Sequence, residues 1–437
     1  MWNALLFSLL LGQQEVVETT HGPIRGELSR DSWSYRGIPF AAPPVGERRW
    51  RPPQPPQPWT EVRDAKSFPP PCPQRERGEA VGQEDCLYLN VWSPAAEPAR
   101  PLPVMVFIHG GGNMQGSTSE GRDGNAIYDG SRLAARGNVV VVTLQYRLGV
   151  LGYLASPALQ IAGNFGLRDQ IAALQWVRAN IARFRGDPDR VLLFGESAGA
   201  VNTCLHLVSP LAAGLFQRAL MQSGGCVAEP LEAAARQASE LAAKLQCRDA
   251  DCLRNLPADQ LVEAAGGEAG VSGGLVTQLY SPIVDGEVIP DQPTRLLAEG
   301  KFHRIPLVNG ANADETSSLG IPPIVSAAQY TAFVRQTFGP LADRVLAEYP
   351  VSDFPNPRAA MVAVTSDPQF ICPSRRTEAS IRSTNRHGGF RPVYPGAPVD
   401  LEGGRMHVLL AVSRLIDAVN ERIGRFAYWL ILLMVVI

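Results

Sequence analysis

The order of apolar runs and amphipathic segments predicts an α/β fold: a mostly parallel sheet with helices on both faces. Three observations carry this. Five Val-, Leu- and Ile-rich runs end in turns, usually glycine-bearing. Segments with helical spacing lie between them. The chain has 437 residues and 45% hydrophobic content, enough for one large core or two smaller ones.

In chain order, residues 1–12 (MWNALLFSLLLG) carry a short apolar run followed at once by Gln13 and Gln14. This predicts a secretory signal peptide, although its start has no Lys or Arg beyond the terminal amine. The strand candidates are LPVMVFIHGG from Leu102, NVVVVTLQYRL from Asn138, RVLLFGES from Arg190, RALMQSGG from Arg218 and RIPLVNGAN from Arg304. Each reads as a buried strand. DQIAALQWVRANIARF from Asp169 reads as a helix, with Ile171, Leu174, Val177 and Ile181 on one face. Strand and helix in repetition mean parallel crossovers, which put a ligand at the C-terminal ends of the strands. The Pro-rich stretch Pro43 to Trp59 and the Gly-rich AAGGEAGVSGG from Ala264 read as loops.

Forty basic residues against forty-two acidic ones, a net charge of -2, leave no electrostatic footprint for nucleic acid. Small neutral or weakly charged partners fit better. Of seven cysteines, Cys72 and Cys86 flank a polar loop, and Cys247 and Cys252 bracket four residues. Neither spacing, with no nearby histidine, makes a zinc site, so no metal or other cofactor is expected. The reading is two local disulfides with Cys204, Cys226 and Cys372 free, which favours a secreted or periplasmic home.

Two G-x-S-x-G matches occur, Gly195 to Gly199 around Ser197 and Gly270 to Gly274 around Ser272. Ordinary composition supplies roughly 0.2 by chance in a chain this long, so the pattern alone decides nothing. The motif works where a strand turns sharply into a helix and lifts the serine above the sheet. Ser197 follows RVLLF and precedes the helical AVNTCLHLV, whereas Ser272 lies in the Gly-rich loop. Ser197 is therefore the nucleophile candidate. His109-Gly110-Gly111-Gly112 ends the strand VMVFI and can supply oxyanion donors from Gly111 and Gly112, with Ala198 N–H as the third. A glycine cluster of this kind could bind phosphate, but no P-loop Lys-Ser or Lys-Thr pair follows it.

These residues, with YRGIPFAAPPVGERRW from Tyr35, EDCLYLNVW from Glu84, YRLGVLGYL from Tyr146, GNFGLRDQIAALQWVRANI from Gly163, YSPIVDGEVIP from Tyr280 and PLVNGANADE from Pro306, resemble the type-B carboxylesterases. That α/β-hydrolase family also holds the cholinesterases, and the resemblance covers roughly residues 15–385. It implies disulfides Cys72–Cys86 and Cys247–Cys252 and a triad acid at Glu315. On the residues alone, Asp314 or a plain turn carboxylate remain alternatives. The family's choline site uses a tryptophan in the first disulfide loop. Here Pro73 to Asp85 contains no aromatic, and Asn113 follows HGGG where an aromatic is usual, which points to a neutral-ester carboxylesterase.

The family's His-Gly-x-Glu-Leu phrase is absent. FRPVYP, where a late strand is expected, is broken by Pro392 and Pro395. His407, 92 residues after Glu315 (407 − 315) and at the start of a helical pattern, is the triad candidate by position. His387 precedes the expected strand and is the weaker one. From Met406, the sequence MHVLLAVSRLIDAVNERIGRFAYWLILLMVVI resembles the start of a TRAP-transporter small membrane subunit, with Tyr428 and Trp429 leading into an apolar run.

The expected organisation is therefore a signal peptide (1–12), an α/β-hydrolase domain (13–405) truncated or replaced at its C-terminal end, and a foreign tail (406–437) offering the only membrane contact. The expected function is a serine carboxylesterase acting on small neutral esters. The alternative is an impaired or inactive hybrid of the same fold that serves, if at all, as a binding module.

Overall fold

The central sheet has eight strands: β1 (Glu27–Ser29), β2 (Ser32–Pro39), β3 (Tyr88–Pro94), β4 (Leu102–Ile108), β5 (Val140–Leu144), β6 (Gly186–Glu196), β7 (Arg218–Gln222) and β8 (Leu307–Gly310). Their spatial order is β8-β7-β6-β4-β5-β3-β2-β1. In this computed structural model the described residues are 15–384, apart from 30, 123–124, 267–269, 273–274, 278 and 322–325. Residues 1–12, His387, the FRPVYP segment, the 406–437 tail and His407 all lie outside them.

From β5 through β4, β6 and β7 to β8 every pairing is parallel, while β5–β3, β3–β2 and β2–β1 are antiparallel. The parallel part is what the buried runs predict. Every residue of β5 is buried, as are Val104 to Ile108 in β4, so both faces of these strands are covered.

The helices that position the site are α1 (Gly149–Tyr153), α2 (Phe165–Asn180), α3 (Ala198–Val208), α4 (Pro357–Ser366) and α5 (Cys372–Thr384). On α2 the predicted stripe Ile171, Leu174 and Val177 is buried, and Ile181 continues it into a 3-10 turn. Asn164, just before α2, has left-handed backbone (φ 53). Its Nδ2 donates to the Ile283 carbonyl at 2.8 Å, and its Oδ1 accepts from the Ile283 N–H at 2.9 Å.

Two buried ion pairs join motifs distant in sequence. Arg147 donates from Nε and a terminal nitrogen to the two oxygens of Asp169 at 2.8 and 2.7 Å, and its own N–H adds a third bond at 3.0 Å. Arg49 grips Glu84 in the same two-pronged way at 2.7 and 2.6 Å and also donates to the carbonyl of Leu256.

Two expectations need correction. β8 was expected to be a buried strand, yet Leu307–Gly310 alternates half-buried and exposed residues, and Val308 is 40% exposed. Among the described residues it pairs only with β7. The Gly-rich stretch around Ser272 is not simply a loop: Gly270–Ser272 pairs antiparallel with Leu275–Thr277, with β-branched Val271 opposite Val276.

Candidate active site

Ser197 stands between the end of β6 and the first residue of α3, with φ 55 and ψ -120. For a residue with a Cβ this backbone is strained, and such strain persists only where surroundings hold it. They do so here from both sides. The Ser197 N–H donates to the Gln222 carbonyl of β7 at 2.8 Å, and its carbonyl accepts from Ala200 and Val201 at 3.0 and 3.1 Å. The flanking glycines are required by space: a Cβ on Gly195 would lie 2.3 Å from the Gly199 backbone, and one on Gly199 would lie 2.1 Å from the Ile108 carbonyl oxygen. Ser272, by contrast, leads into a hairpin partner and not a helix. Strand before, helix after is met at Ser197 alone of the two.

The His109–Gly112 loop leaves the end of β4, the strand beside β6. It comes so close to the serine that a Cβ on Gly110 would lie 3.2 Å from Ser197 Cβ. Gly111 (φ 96) and Gly112 (φ 64) turn the chain in conformations that suit glycine. Among the described residues the N–H groups of Gly111, Gly112 and Ala198 have no hydrogen-bond acceptor. Three donors without acceptors thus flank a serine on a strained turn.

Side-chain amides pin this loop from outside. Gln74 accepts from the Gly116 N–H at 2.7 Å and donates back to the Gly116 carbonyl at 3.0 Å, and Gln145 accepts from Thr118 N–H at 3.3 Å. Buried Asn113 exchanges hydrogen bonds with Asn202 of α3. These four side chains are neutral amides and do not titrate.

Glu315 begins the 3-10 turn Glu315–Ser318 that follows β8. One carboxylate oxygen accepts from the Asn312 N–H at 2.7 Å and the other from Asn312 Nδ2 at 3.1 Å. Thr316 anchors the turn to α4: its N–H donates to Ser366 Oγ at 3.1 Å, and its hydroxyl lies 2.7 Å from Thr365 Oγ1. Asp314 is exposed and forms no side-chain cap to the turn. Of the two carboxylates, Glu315 is the half-buried one and is held by Asn312.

Glu196 is the site residue that sequence reading passed over. It is exposed as a whole, but a Cβ on Gly110 would lie 2.8 Å from its Oε2, so the carboxyl lies against the oxyanion loop. Its pKa is pushed up to about 7, first by desolvation and then by the negative charges of Glu315 and Glu120. Glu120 is itself raised by desolvation and by Glu76. Its signal was present inside the Gly195–Gly199 motif, at a position that the motif leaves open.

The four histidines among the described residues are engaged elsewhere. The His109 ring stacks on Tyr146 with centroids 4.5 Å apart, and its Nδ1 lies 2.9 Å from the Gly110 carbonyl. Burial lowers its pKa to about 4. His206 is buried on α3 with Nε2 2.7 Å from Gln170 Oε1, and burial lowers it to about 3. His303 Nε2 lies 2.8 Å from the Ser209 carbonyl, and His21 stacks on Trp59.

The carboxylesterase family pattern matches residues 13–394, a span that includes the serine elbow and the glycine loop beside it. The chain belongs to the carboxylesterase family. It is 41% identical over 371 residues to the fumonisin B1 esterase of Sphingopyxis macrogoltabida, covering 81% of this chain and 66% of that one. It is 39% identical over 353 residues to the para-nitrobenzyl esterase of Bacillus subtilis, covering 77% and 71%. A solved PNB esterase structure superposes with a TM-score of 0.73 at 37% identity, covering 84% of this chain and 78% of that one. This member of the carboxylesterase family spans 66% and 71% of the lengths of those two curated relatives, and 62% of a medium-chain fatty acyl-CoA hydrolase precursor of Anas platyrhynchos.

Disulfides join Cys72 to Cys86 and Cys247 to Cys252, as the family resemblance implies. Cys204 and Cys226, expected to be free, are bonded to each other; Cys372 is free. The third bridge ties α3 to the segment after β7, where the Cys226 N–H also donates to Thr377 Oγ1 of α5 at 2.9 Å. No residues in the intervening sequence announce this pairing, because each cysteine by itself reads as a small hydrophobe.

Proposed function

We propose that this carboxylesterase-family chain hydrolyses small neutral carboxylic esters through an acyl-enzyme on Ser197. The observation that carries the reading is the strained Ser197 elbow beside the N–H groups of Gly111, Gly112 and Ala198, which have no acceptor among the described residues. Ser197 Oγ attacks the ester carbonyl, an imidazole accepts its proton, and the oxyanion rests on those three donors. Collapse expels the alcohol, which takes the proton back from the imidazole. Water then repeats the sequence and releases the acid. Glu315 orients the imidazole. We assign the base to His407, which stands after the acid in the chain order Ser, Glu, His that this fold uses. Glu196, next to the serine, and the negative charges of Glu315 and Glu120 that act on it disfavour anionic esters and support a neutral substrate.

The same reading makes residues 13–405 the hydrolase domain and 406–437 a separate tail through which any membrane contact would run. No helix among the described residues is long and apolar enough to cross a membrane. Three disulfides support an extracytoplasmic home, with residues 1–12 acting as the signal.

The test is p-nitrophenyl acetate turnover by the full chain beside Ser197→Ala, Glu315→Gln and His407→Ala. Loss of the serine or the histidine typically costs on the order of a millionfold in kcat, and loss of the acid roughly 30,000-fold. Equal turnover by wild type and Ser197→Ala sinks the enzyme reading. Full activity in His407→Ala with loss in His387→Ala moves the base to His387.

A further inference from the structure

The three proposed oxyanion donors come from two separate pieces of the chain. Gly111 and Gly112 belong to the loop after β4, and Ala198 belongs to the first turn of α3. Their relative placement must be held to a fraction of an ångström for all three to meet one oxygen, since a misplacement of about 1 Å can cost roughly 100-fold in rate. We propose that Asn113 and Asn202 are positioning residues that lock the two halves of this oxyanion hole together. The inference rests on the esterase reading of Ser197.

Asn113 immediately follows Gly112, and Asn202 lies one helical turn beyond Ala198 on α3. Their carboxamides bond reciprocally: Asn202 Nδ2 donates to Asn113 Oδ1 at 2.8 Å, and Asn113 Nδ2 donates to Asn202 Oδ1 at 3.3 Å. Tyr153 of α1 adds its hydroxyl to Asn113 Oδ1 at 3.2 Å, and the Gly149 N–H at the start of α1 donates to the Asn113 carbonyl at 2.7 Å. All three side chains are at most 1% exposed. Asn113 also has left-handed backbone (φ 57), the third positive φ in a row after Gly111 and Gly112. Asparagine is among the few residues other than glycine that enter that region readily. One residue therefore completes the turn that presents the glycine N–H groups and bolts that turn to the helix that presents the third donor.

A carboxamide pair suits the task better than a charged pair. It is satisfied on both sides without a net charge beside a developing oxyanion, and it does not titrate. Burial holds the Tyr153 phenol well above its ordinary range, so it remains a donor throughout the working pH range.

The variants are Asn113→Gly, which keeps the left-handed backbone and removes only the carboxamide, Asn202→Ala, and the double variant. The readouts are p-nitrophenyl acetate kinetics, affinity for a trifluoromethyl ketone that forms a tetrahedral adduct on the serine, and amide hydrogen exchange of peptides spanning residues 109–118. Each single variant is expected to lose about 10- to 100-fold in kcat with KM within about threefold, and to lose trifluoromethyl ketone affinity in parallel. The double variant should lose no more than the worse single one, because either change already breaks the pair. Exchange in 109–118 should quicken about tenfold or more in all three. Unchanged kcat, a loss confined to KM, losses that multiply in the double variant, or unchanged exchange each overturns the proposal. Failure of the esterase reading looks different: wild type and Ser197→Ala then turn over equally, and hydrogen exchange alone decides whether the clamp exists.

Discussion

Two buried neutral histidines set the acid limb of stability. His206 and His109 are fully enclosed, and desolvation holds their pKa values at about 3 and about 4 against an ordinary 6.5. Below pH 6.5 the unfolded chain takes up a proton at each position while the native chain refuses it. Stability is therefore fully present above pH 6.5 and is lost as pH falls toward the folded values. Between pH 6.5 and 4 each histidine contributes a loss of roughly 3 kcal/mol, at about 1.4 kcal/mol per pH unit. Glu196 works the other way: its carboxyl, raised to about 7, is protonated first in the native chain and so favours folding as pH falls through that value. Because its side chain is exposed, solvent screening reduces that gain to about 1 kcal/mol or less. From these three groups together the loss is about 5 kcal/mol, comparable with the whole stability of many domains. The perturbation is His206→Gln, whose amide can still donate to Gln170 but cannot titrate. Urea denaturation at pH 7.5, 6.5, 5.5 and 4.5 should give a wild-type slope steeper than the variant's by about 1 kcal/mol per pH unit below 6.5. Parallel slopes would mean that His206 titrates alike in the native and unfolded chain, and the burial argument would be wrong.

Other outcomes follow from single contacts. Arg147→Met leaves the fully buried Asp169 without its two-pronged partner and should cost about 3–5 kcal/mol by chemical denaturation. Replacing Cys204 and Cys226 together with alanine opens a crosslink between residues 22 apart, which should cost about 3 kcal/mol; a change within 0.5 kcal/mol would show that the bridge contributes nothing. Gly199→Ala forces a Cβ to 2.1 Å from the Ile108 carbonyl oxygen, so soluble expression should collapse, and a normal melting profile would contradict the packing at the elbow. Glu196→Gln removes a carboxylate whose charge is disfavoured, so its melting temperature should exceed the wild type's at pH 8.5 and converge with it near pH 5.

Legibility in the sequence followed how local each cause was. The Ser197 elbow was readable because its requirements, a buried strand before and a helix after, are written within twenty residues. The β4 glycine loop was readable for the same reason. The antiparallel strands β1, β2 and β3 escaped the list of apolar runs because stretches such as SWSYRGIP mix polar and aromatic residues, and only pairing across the sheet buries them. Many residues in the family-like phrases also turn out to be architectural. Arg49 and Glu84 pair, Arg147 and Asp169 pair, and Asn164 bonds Ile283, each joining two phrases that the sequence presents as separate. The Cys204–Cys226 bridge and the Asn113–Asn202 pair could not be read at all. Their partners meet only because α3 packs against both the β4 loop and the segment after β7.

That distinction bears on the base. A proton acceptor for Ser197 must reach its hydroxyl and accept orientation from Glu315, and the chain holds six histidines in all. His109 precedes Gly110 of the oxyanion loop in sequence, but its ring stacks on Tyr146, and its Nδ1 lies 2.9 Å from the Gly110 carbonyl. Burial further keeps it too weak a base, at about 4, to draw a proton from a serine near neutral pH. His206 faces Gln170, His303 faces Ser209, and His21 stacks on Trp59. None of the four bonds to Ser197 or Glu315 among the described residues. His387 and His407, the other two histidines of this sequence, lie outside the described residues. Of these, His407 lies 92 residues after Glu315 (407 − 315), the position on which its proposed role as base rests, whereas His387 follows within three residues of the end of α5.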